Sequence, residues 1–422
     1  MDRMKSIDKS SHGRPEHELL LCCARTHIEN ERGERIKSLL KKDMDWAYLL
    51  QKSLQHNLAP LLYKNLNALS PGQIPEPVLG QFKKIFLLNV RRTLFLTKEL
   101  FAVVNFLDSN GISAIPYKGP PLTASVYGDL ALRPFRDLDI MIRQQEVLRA
   151  RDLLVSLGYQ PQVQLNGIQA AAYVRTKYEL PLIRNPGRMI VELKWGIVDQ
   201  YFSFPMESGC LRERLKPIRI DGKAILTFSH EDTLLILCVH GTKHLWQNLI
   251  MVCDVSEMIK GCRGLDWDWV LREAGRLGGR RMLFLGLFLA KHLLGATLPG
   301  AIDRKIEDDP RVERLAGQVE KRLFGEPEGP PNLLKSVLFH LEAKERTKDR
   351  IRYGYHFTMT TTVGDWAFRP LPNALFPLYH LVRPVRLTVK YGDRLFKHFV
   401  IKCLGRLRIK IQRACKSLAL LR

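Results

Sequence analysis

The sequence predicts an α/β or α+β fold, in which a mixed sheet forms the core and helical regions precede and follow it. Short β-branched runs bounded by Gly, Pro and Asn occur in the middle of the chain. Leucine-rich segments with helix-like spacing lie on both sides. We therefore predict an N-terminal helical region (1–107), an α/β domain (108–228), a helical domain (229–325) and a C-terminal basic helical region (326–422).

Within the first region, residues 14–107 show helical grouping of leucines, with breaks at Pro71-Gly72 and Pro75. The α/β domain contains runs that predict strands at Ile112–Tyr117, Leu138–Ile142, Ala172–Ile183 and Met189–Trp195, and helices at Leu122–Tyr127 and Glu146–Leu157. The sequence Asn185-Pro186-Gly187-Arg188 favours a turn, so the last two strands are expected to form a hairpin.

The third region begins at Ser229, which stands at the first position of a capping-box pattern that ends at Asp232. Helices are expected to continue to about Leu294, with breaks at Gly275, Gly278 and Gly279. The Pro- and Gly-rich segment Glu326–Pro331 predicts a linker.

Composition narrows the functional classes. The chain has 422 residues, 45% of them hydrophobic, and a formal net charge of +23. This charge favours polyanionic partners such as nucleotide phosphates, nucleic acid or an anionic membrane surface. The eight cysteines show no CxxC pair, the first 13 residues lack the apolar stretch of a signal peptide, and no membrane-spanning apolar run occurs. We therefore expect a cytoplasmic protein.

Three carboxylates have the spacing of a metal site. Asp137 and Asp139 alternate with Leu138 on a predicted strand, so both project from one face while Leu138 enters the core. Glu192 alternates in the same way on a later strand. Carboxylate oxygens suit Mg²⁺, with Mn²⁺ as an alternative, and one or two such ions could bind a triphosphate. A lone Asp-x-Asp often binds no metal, and the context of strands on both sides is what favours the metal site here.

Basic residues flank these carboxylates. Lys118-Gly119 follows a predicted strand and precedes a helix, where a phosphate could bind, although an ordinary strand-to-helix turn has the same form. Arg133 and Arg136 could contact phosphate or form surface ion pairs. These four residues are the candidate nucleotide-binding residues.

The pattern as a whole resembles the uncharacterised nucleotidyltransferase family of the polymerase-β-like superfamily. The first block of the resemblance consists of Lys118-Gly119, Leu122, Tyr127, Arg133-Pro134 and Asp137-Leu138-Asp139-Ile140. Later blocks are Glu192-Leu193-Lys194-Trp195, His240-Gly241-Thr242-Lys243-His244, Asp254, Asp266-Trp267, Asp365-Trp366 and Arg383-Pro384-Val385-Arg386-Leu387. The resemblance extends from about residue 14 to 390.

The resemblance implies a nucleotidyltransferase fold in which Asp137 and Asp139 are metal ligands and Glu192 is a ligand or the base for the attacking hydroxyl. It implies an Mg²⁺-dependent, nucleotide- or ATP-binding enzyme that moves a nucleoside monophosphate from an NTP to an unidentified acceptor. Two departures matter: Lys118-Gly119 stands where better-studied members of the superfamily have a Gly-Ser pair that contacts phosphate, and Lys194 stands where the family usually has His. A catalytically inactive binding module with the same fold, acting at a membrane surface or on nucleic acid, therefore remains an alternative.

Two further features leave alternatives open. His240 and His244 are four residues apart on a predicted helix, which suits either a polar wall of the cleft or a metal pair with Asp254. The tail from Tyr391 to Arg422 carries nine Lys/Arg and one Asp among apolar residues. Such a segment can bind an anionic membrane surface or nucleic acid, or can pack as a terminal helix. We therefore also expect that the protein could be peripheral to the membrane.

Overall fold

A computed structural model describes residues 13–69, 71–185, 189–206, 208–262, 264–325, 333–369 and 371–390. The strands are β1 (Ile115–Pro116), β2 (Asp137–Met141), β3 (Gln160–Pro161), β4 (Glu179–Arg184), β5 (Met189–Lys194), β6 (Lys216–Ile220) and β7 (Lys223–Thr227). The helices before the first strand are α1 (Pro15–Cys23), α2 (Asn30–Leu40), α3 (Trp46–Gln55), α4 (Ala59–Leu69) and α5 (Glu76–Ser109). Those between the strands are α6 (Pro120–Leu122), α7 (Val147–Ser156), α8 (Gly167–Thr176) and α9 (Ser208–Glu213).

A second series of helices follows the last strand. Its members are α10 (His230–Lys243), α11 (Leu249–Gly261), α12 (Trp267–Leu277), α13 (Arg280–Leu294), α14 (Gly300–Glu307), α15 (Pro310–Phe324), α16 (Leu333–Ala343), α17 (Thr347–Met359) and α18 (Val363–Phe368). Residues 379–390 are also helical.

The main sheet is mixed and has the strand order β1-β2-β5-β4-β3. β2 and β5 pair in parallel, whereas the other three pairs are antiparallel. A parallel pair at the centre requires a long connection, and the chain between β2 and β5 supplies it with α7, β3, α8 and β4. The predicted fold class, a mixed sheet with helical regions before and after it, is confirmed.

Two apolar cores hold these elements together. One unites α1–α4 with α10–α16, so helices from both ends of the chain pack against each other. The other lies on the face of the sheet that carries Leu138, Ile140 and Leu193. The 34-residue helix α5 joins the two cores, because Phe82 is buried in the first and Leu100 in the second.

Several predicted elements are confirmed with shifted ends. The predicted strand Ile112–Tyr117 is reduced to β1, and Leu122–Tyr127 is helical but wound as a π-helix over Thr123–Tyr127. Ser229 caps α10, where its hydroxyl accepts from the backbone N–H of Asp232.

The predicted strand Ala172–Ile183 is wrong over its first half. Residues up to Thr176 belong to α8, and the strand β4 begins only at Glu179. The capping box formed by Asn166 and Gln169, followed by three alanines, gives this segment strong local helix preference. Alanine lacks the β-branched bulk of typical strand residues, and the apolar run alone did not distinguish the two structures.

The structure differs from the expectations at two further segments that contain glycine. Gly278, with φ +73°, ends α12 as expected, but Gly275 lies inside that helix and does not break it. The hairpin of β6 and β7 was not predicted, although its turn residues Asp221 and Gly222 both have positive φ, as a two-residue hairpin turn requires.

Some expectations fall outside the described residues. They are the turn residues Pro186-Gly187-Arg188, the linker Glu326–Pro331 and the basic tail from Tyr391 to Arg422. Among the helices that are described, none is both long enough and apolar enough to span a bilayer.

Candidate active site

The three predicted metal ligands lie on one face of the main sheet. Asp137 and Asp139 are two residues apart on β2, so their side chains point the same way. β5 runs parallel to β2 and places Glu192 directly opposite Asp139. Leu138 and Ile140 enter the core on the other face. The alternation expected from the sequence is therefore present, and the strand pairing brings the glutamate beside the aspartates.

Lys194 contributes an ammonium group to the same face, because it lies two residues after Glu192 on β5. Its Nζ is 3.1 Å from Oδ1 of Asp139 and 2.7 Å from Oε2 of Glu192. It also donates to Glu179, which lies opposite Lys194 on β4. The Lys194 side chain is 5% exposed. We call Asp137, Asp139, Glu179, Glu192 and Lys194 the carboxylate–lysine cluster.

The pKa values in this cluster reflect a balance between burial and neighbouring charge. Burial raises the pKa of Asp139, but Lys118 and Lys194 outweigh it and hold the pKa below its usual value. Burial lowers the pKa of Lys194, but Asp139 and other acidic neighbours hold it well above its usual value. For Glu192, burial together with nearby carboxylates outweighs Lys194, and the pKa is raised. The acidic neighbours therefore favour the charged form of Lys194, whereas burial favours the protonated form of Glu192.

Lys118 and Gly119 lie next to this cluster, directly after β1. The Nζ of Lys118 is 3.1 Å from Nδ1 of His240 on α10. Burial is the main cause of the lowered pKa of Lys118, while Asp139 acts in the opposite direction. Gly119 has φ +54°, and a Cβ there would lie 3.5 Å from the carbonyl oxygen of Asp137. The positive φ is what favours glycine here, because the Cβ itself would make only an ordinary van der Waals contact.

The two predicted arginines lie in different environments. Arg133 donates from Nε and Nη2 to the two carboxylate oxygens of Asp254 on α11, at 2.7 and 2.8 Å. The hydroxyl of Tyr127 donates to the same carboxylate at 2.6 Å. Arg133 therefore ties the segment before β2 to α11. Arg136 is exposed immediately before β2. Contact of either arginine with phosphate stays a prediction.

His240 and His244 form part of the wall that α10 presents to this face. Their ring centroids are 4.4 Å apart. Burial, followed by nearby lysines, lowers the pKa of both, that of His244 to about 3, so the imidazoles are neutral near pH 7. Asp254, the third member of the alternative metal set, is engaged by Arg133. This geometry favours the polar wall over the metal pair.

Three further residues at this face were missed from the sequence. They are Glu179, Tyr178 and Lys243. Lys243 donates to the hydroxyl of Tyr178, and burial lowers its pKa to about 8. Tyr178 also lies under the ammonium of Lys194, 5.1 Å from Nζ to the ring centroid. The signal for Glu179 was its alternation with Leu180 on β4, which the incorrect assignment of Ala172–Ile183 obscured.

Comparison with known proteins identifies the class. The sequence profile of a family described as "Uncharacterised nucleotidyltransferase" matches residues 42–295, which is more than half of the chain. The match contains β2, β5 and α10 and thus every residue of the site described above. The chain belongs to this family, as its sequence led us to expect, and the membership supports nucleotidyl transfer as the general activity. None of the curated proteins compared with the chain matches it.

Proposed function

We propose that the protein transfers a nucleoside monophosphate from an NTP such as ATP to an acceptor nucleophile and releases pyrophosphate. The observation that carries the proposal is the pairing of β2 with β5, which sets Glu192 beside Asp139 on the same face as Asp137. Membership of a nucleotidyltransferase family implies the nucleotide substrate. The acceptor is not defined by either observation.

In this proposal Asp137, Asp139 and Glu192 hold Mg²⁺, for which Mn²⁺ could substitute. The fit is chemical: all three supply carboxylate oxygens, the donors these ions prefer, from adjacent strands. Within the described residues, no three ligating side chains are grouped closely enough to hold an ion without rearrangement. Lys194 holds Asp139 and Glu192 in their present positions, so ion binding requires these side chains to reorient.

The protein's own groups have separate tasks in this reaction. Lys118, buried beside His240 and close to Asp139, supplies a positive charge for the triphosphate, and Gly119 forms the turn that follows it. Glu192, with its raised pKa, is suited to accept a proton from the acceptor hydroxyl if it is not a metal ligand. The bound ion would offset charge on the reacting phosphate and the leaving pyrophosphate.

The test measures transfer of label from α-labelled ATP in the presence of Mg²⁺ and a fractionated cell extract as the source of acceptor. Asp139→Asn is expected to abolish transfer, because it removes a charge that Lys118 and Lys194 hold ionised. The matched control is Asp152→Asn, whose carboxylate is 67% exposed on α7. Transfer that is equal in both variants would contradict the assignment of the site.

Lys194 also supports a second candidate function, a module that binds nucleotide without turnover. Its ammonium already forms ion pairs with two of the proposed metal ligands. In that case a calorimetric titration with ATP would give the same affinity with and without Mg²⁺, and no pyrophosphate would form. An affinity that depends on Mg²⁺ would exclude this second function.

Other expectations remain proposals. Contact with an anionic membrane or with nucleic acid through the basic tail concerns residues outside the described ranges, and the peripheral location depends on that contact. The cytoplasmic location also stays a proposal. The four-domain division likewise stays a prediction, although packing links its first and third regions in one core.

A further inference from the structure

The carboxylate–lysine cluster contains a cation that belongs to the protein itself. Three of its carboxylates, those of Asp139, Glu179 and Glu192, contact one ammonium group, the Nζ of Lys194. Nucleotidyl transfer sites of the two-metal type place two divalent ions among carboxylates. A lysine at the centre of such carboxylates therefore competes with one of these ions for the same oxygens.

We propose that Lys194 permanently takes one of the two cation positions, so that the nucleotide-free protein binds a single divalent ion. The inference rests on the proposed function, because it concerns the same carboxylates.

The contacts of the individual carboxylates support one position for the lysine and one for a divalent ion. Lys194 forms ion pairs with Asp139 and Glu192, and within the described residues it forms none with Asp137. The carboxylate of Asp137 therefore remains to serve a divalent ion, which the side chains of Asp139 and Glu192 would join by reorienting. Glu179 contacts Lys194 from the neighbouring strand β4, so it stabilises the ammonium without being one of the proposed metal ligands.

Burial explains why Lys194 does not simply move away. Its side chain is 5% exposed, and Tyr178 covers the ammonium. Withdrawal of Lys194 would leave a buried positive charge without its three carboxylate partners. The lysine is thus a built-in part of the site.

The test is a titration of the purified, nucleotide-free chain with Mn²⁺, followed by electron paramagnetic resonance of the free ion. The wild-type protein is expected to bind one ion and Lys194→Met two. The matched control is Lys291→Met, which removes an ammonium from the ion pair between Lys291 on α13 and Asp303 on α14. This variant should still bind one ion. Circular dichroism and urea unfolding establish that each variant is folded.

A second variant keeps the test decisive if Lys194→Met does not fold. Glu179→Gln removes a partner of Lys194 that is 29% exposed, so the substitution should be tolerated. Without the carboxylate of Glu179, the ammonium of Lys194 offsets more of the charge on Asp139 and Glu192. Loss of this one nearby negative charge should lower the Mn²⁺ affinity about tenfold.

The outcomes separate the inference from the proposed function. Two ions in the wild-type protein, one ion in folded Lys194→Met, or an unchanged affinity in Glu179→Gln would each overturn the role of Lys194 alone. No bound ion in any of these proteins would overturn the metal site of the proposed function and the inference with it.

Discussion

Replacing Asp254 with asparagine tests the ion pair that joins the sheet to the helical core. Arg133 and Asp254 are bidentate, and their side chains are 13% and 3% exposed. Asparagine keeps the shape of the side chain and removes its charge, so the guanidinium of Arg133 is left buried without its counter-ion. Tyr127 keeps an acceptor for its hydroxyl.

The expected cost follows from the distance and the surroundings. Two charges about 4 Å apart interact by about 4 kcal/mol at a dielectric constant of 20, but by about 1 kcal/mol in water. Removal of one partner from a buried pair typically costs about 3–5 kcal/mol. We therefore expect Asp254→Asn to lower the free energy of unfolding by about 3–5 kcal/mol.

The matched control has the same chemistry at the surface. Arg35 donates to both oxygens of Glu18 at 2.6 and 2.7 Å, but these side chains are 46% and 35% exposed. Glu18→Gln makes the same change and should cost about 0–1 kcal/mol. Urea titration of both variants and the wild-type protein measures the difference. Equal losses, or a loss below about 1 kcal/mol for Asp254→Asn, would refute burial as the source of the stability.

Two further predictions concern buried groups outside the site. Lys344 donates to the carbonyl of Phe202, and burial lowers its pKa to about 8. Between pH 8 and the ordinary lysine pKa near 10.4, Lys344 is protonated in the unfolded chain but largely neutral in the folded protein. The free energy of unfolding should therefore rise with pH in this range, by up to about 3 kcal/mol. Lys344→Met should remove that rise. Urea unfolding midpoints of the wild-type protein and the variant at pH 7.5 and 10 test this, and an equal increase in the midpoint for both proteins would contradict it. A Cβ at Gly241 would lie 2.7 Å from the ring of buried Trp246, so Gly241→Ala should cost about 1–3 kcal/mol. The control Gly317→Ala meets no atom within 4 Å and should be neutral or slightly stabilising; a similar thermal shift in both variants would show that the Trp246 contact is unimportant.

Local patterns accounted for a large part of the fold. The alternation around Leu138, the cap at Ser229 and the break at Gly278 depend on residues a few positions apart, and each is present. The exception, Ala172–Ile183, is also local: an apolar run is compatible with helix and strand, and the capping box before it was overlooked. The Asp221-Gly222 hairpin shows the same kind of omission.

The candidate site required contacts between distant parts of the chain. The sequence by itself determined that Asp137 and Asp139 share one face of a strand, because side chains alternate along extended backbone. Tertiary structure decided which glutamate lies beside them, since the partner of β2 depends on packing of the whole sheet. It also decided that Arg133 pairs with Asp254, 121 residues away. The two-residue spacing from Glu192 places Lys194 on the same face of β5, but only the pairing of β2, β5 and β4 brings its ammonium into contact with Asp139 and Glu179.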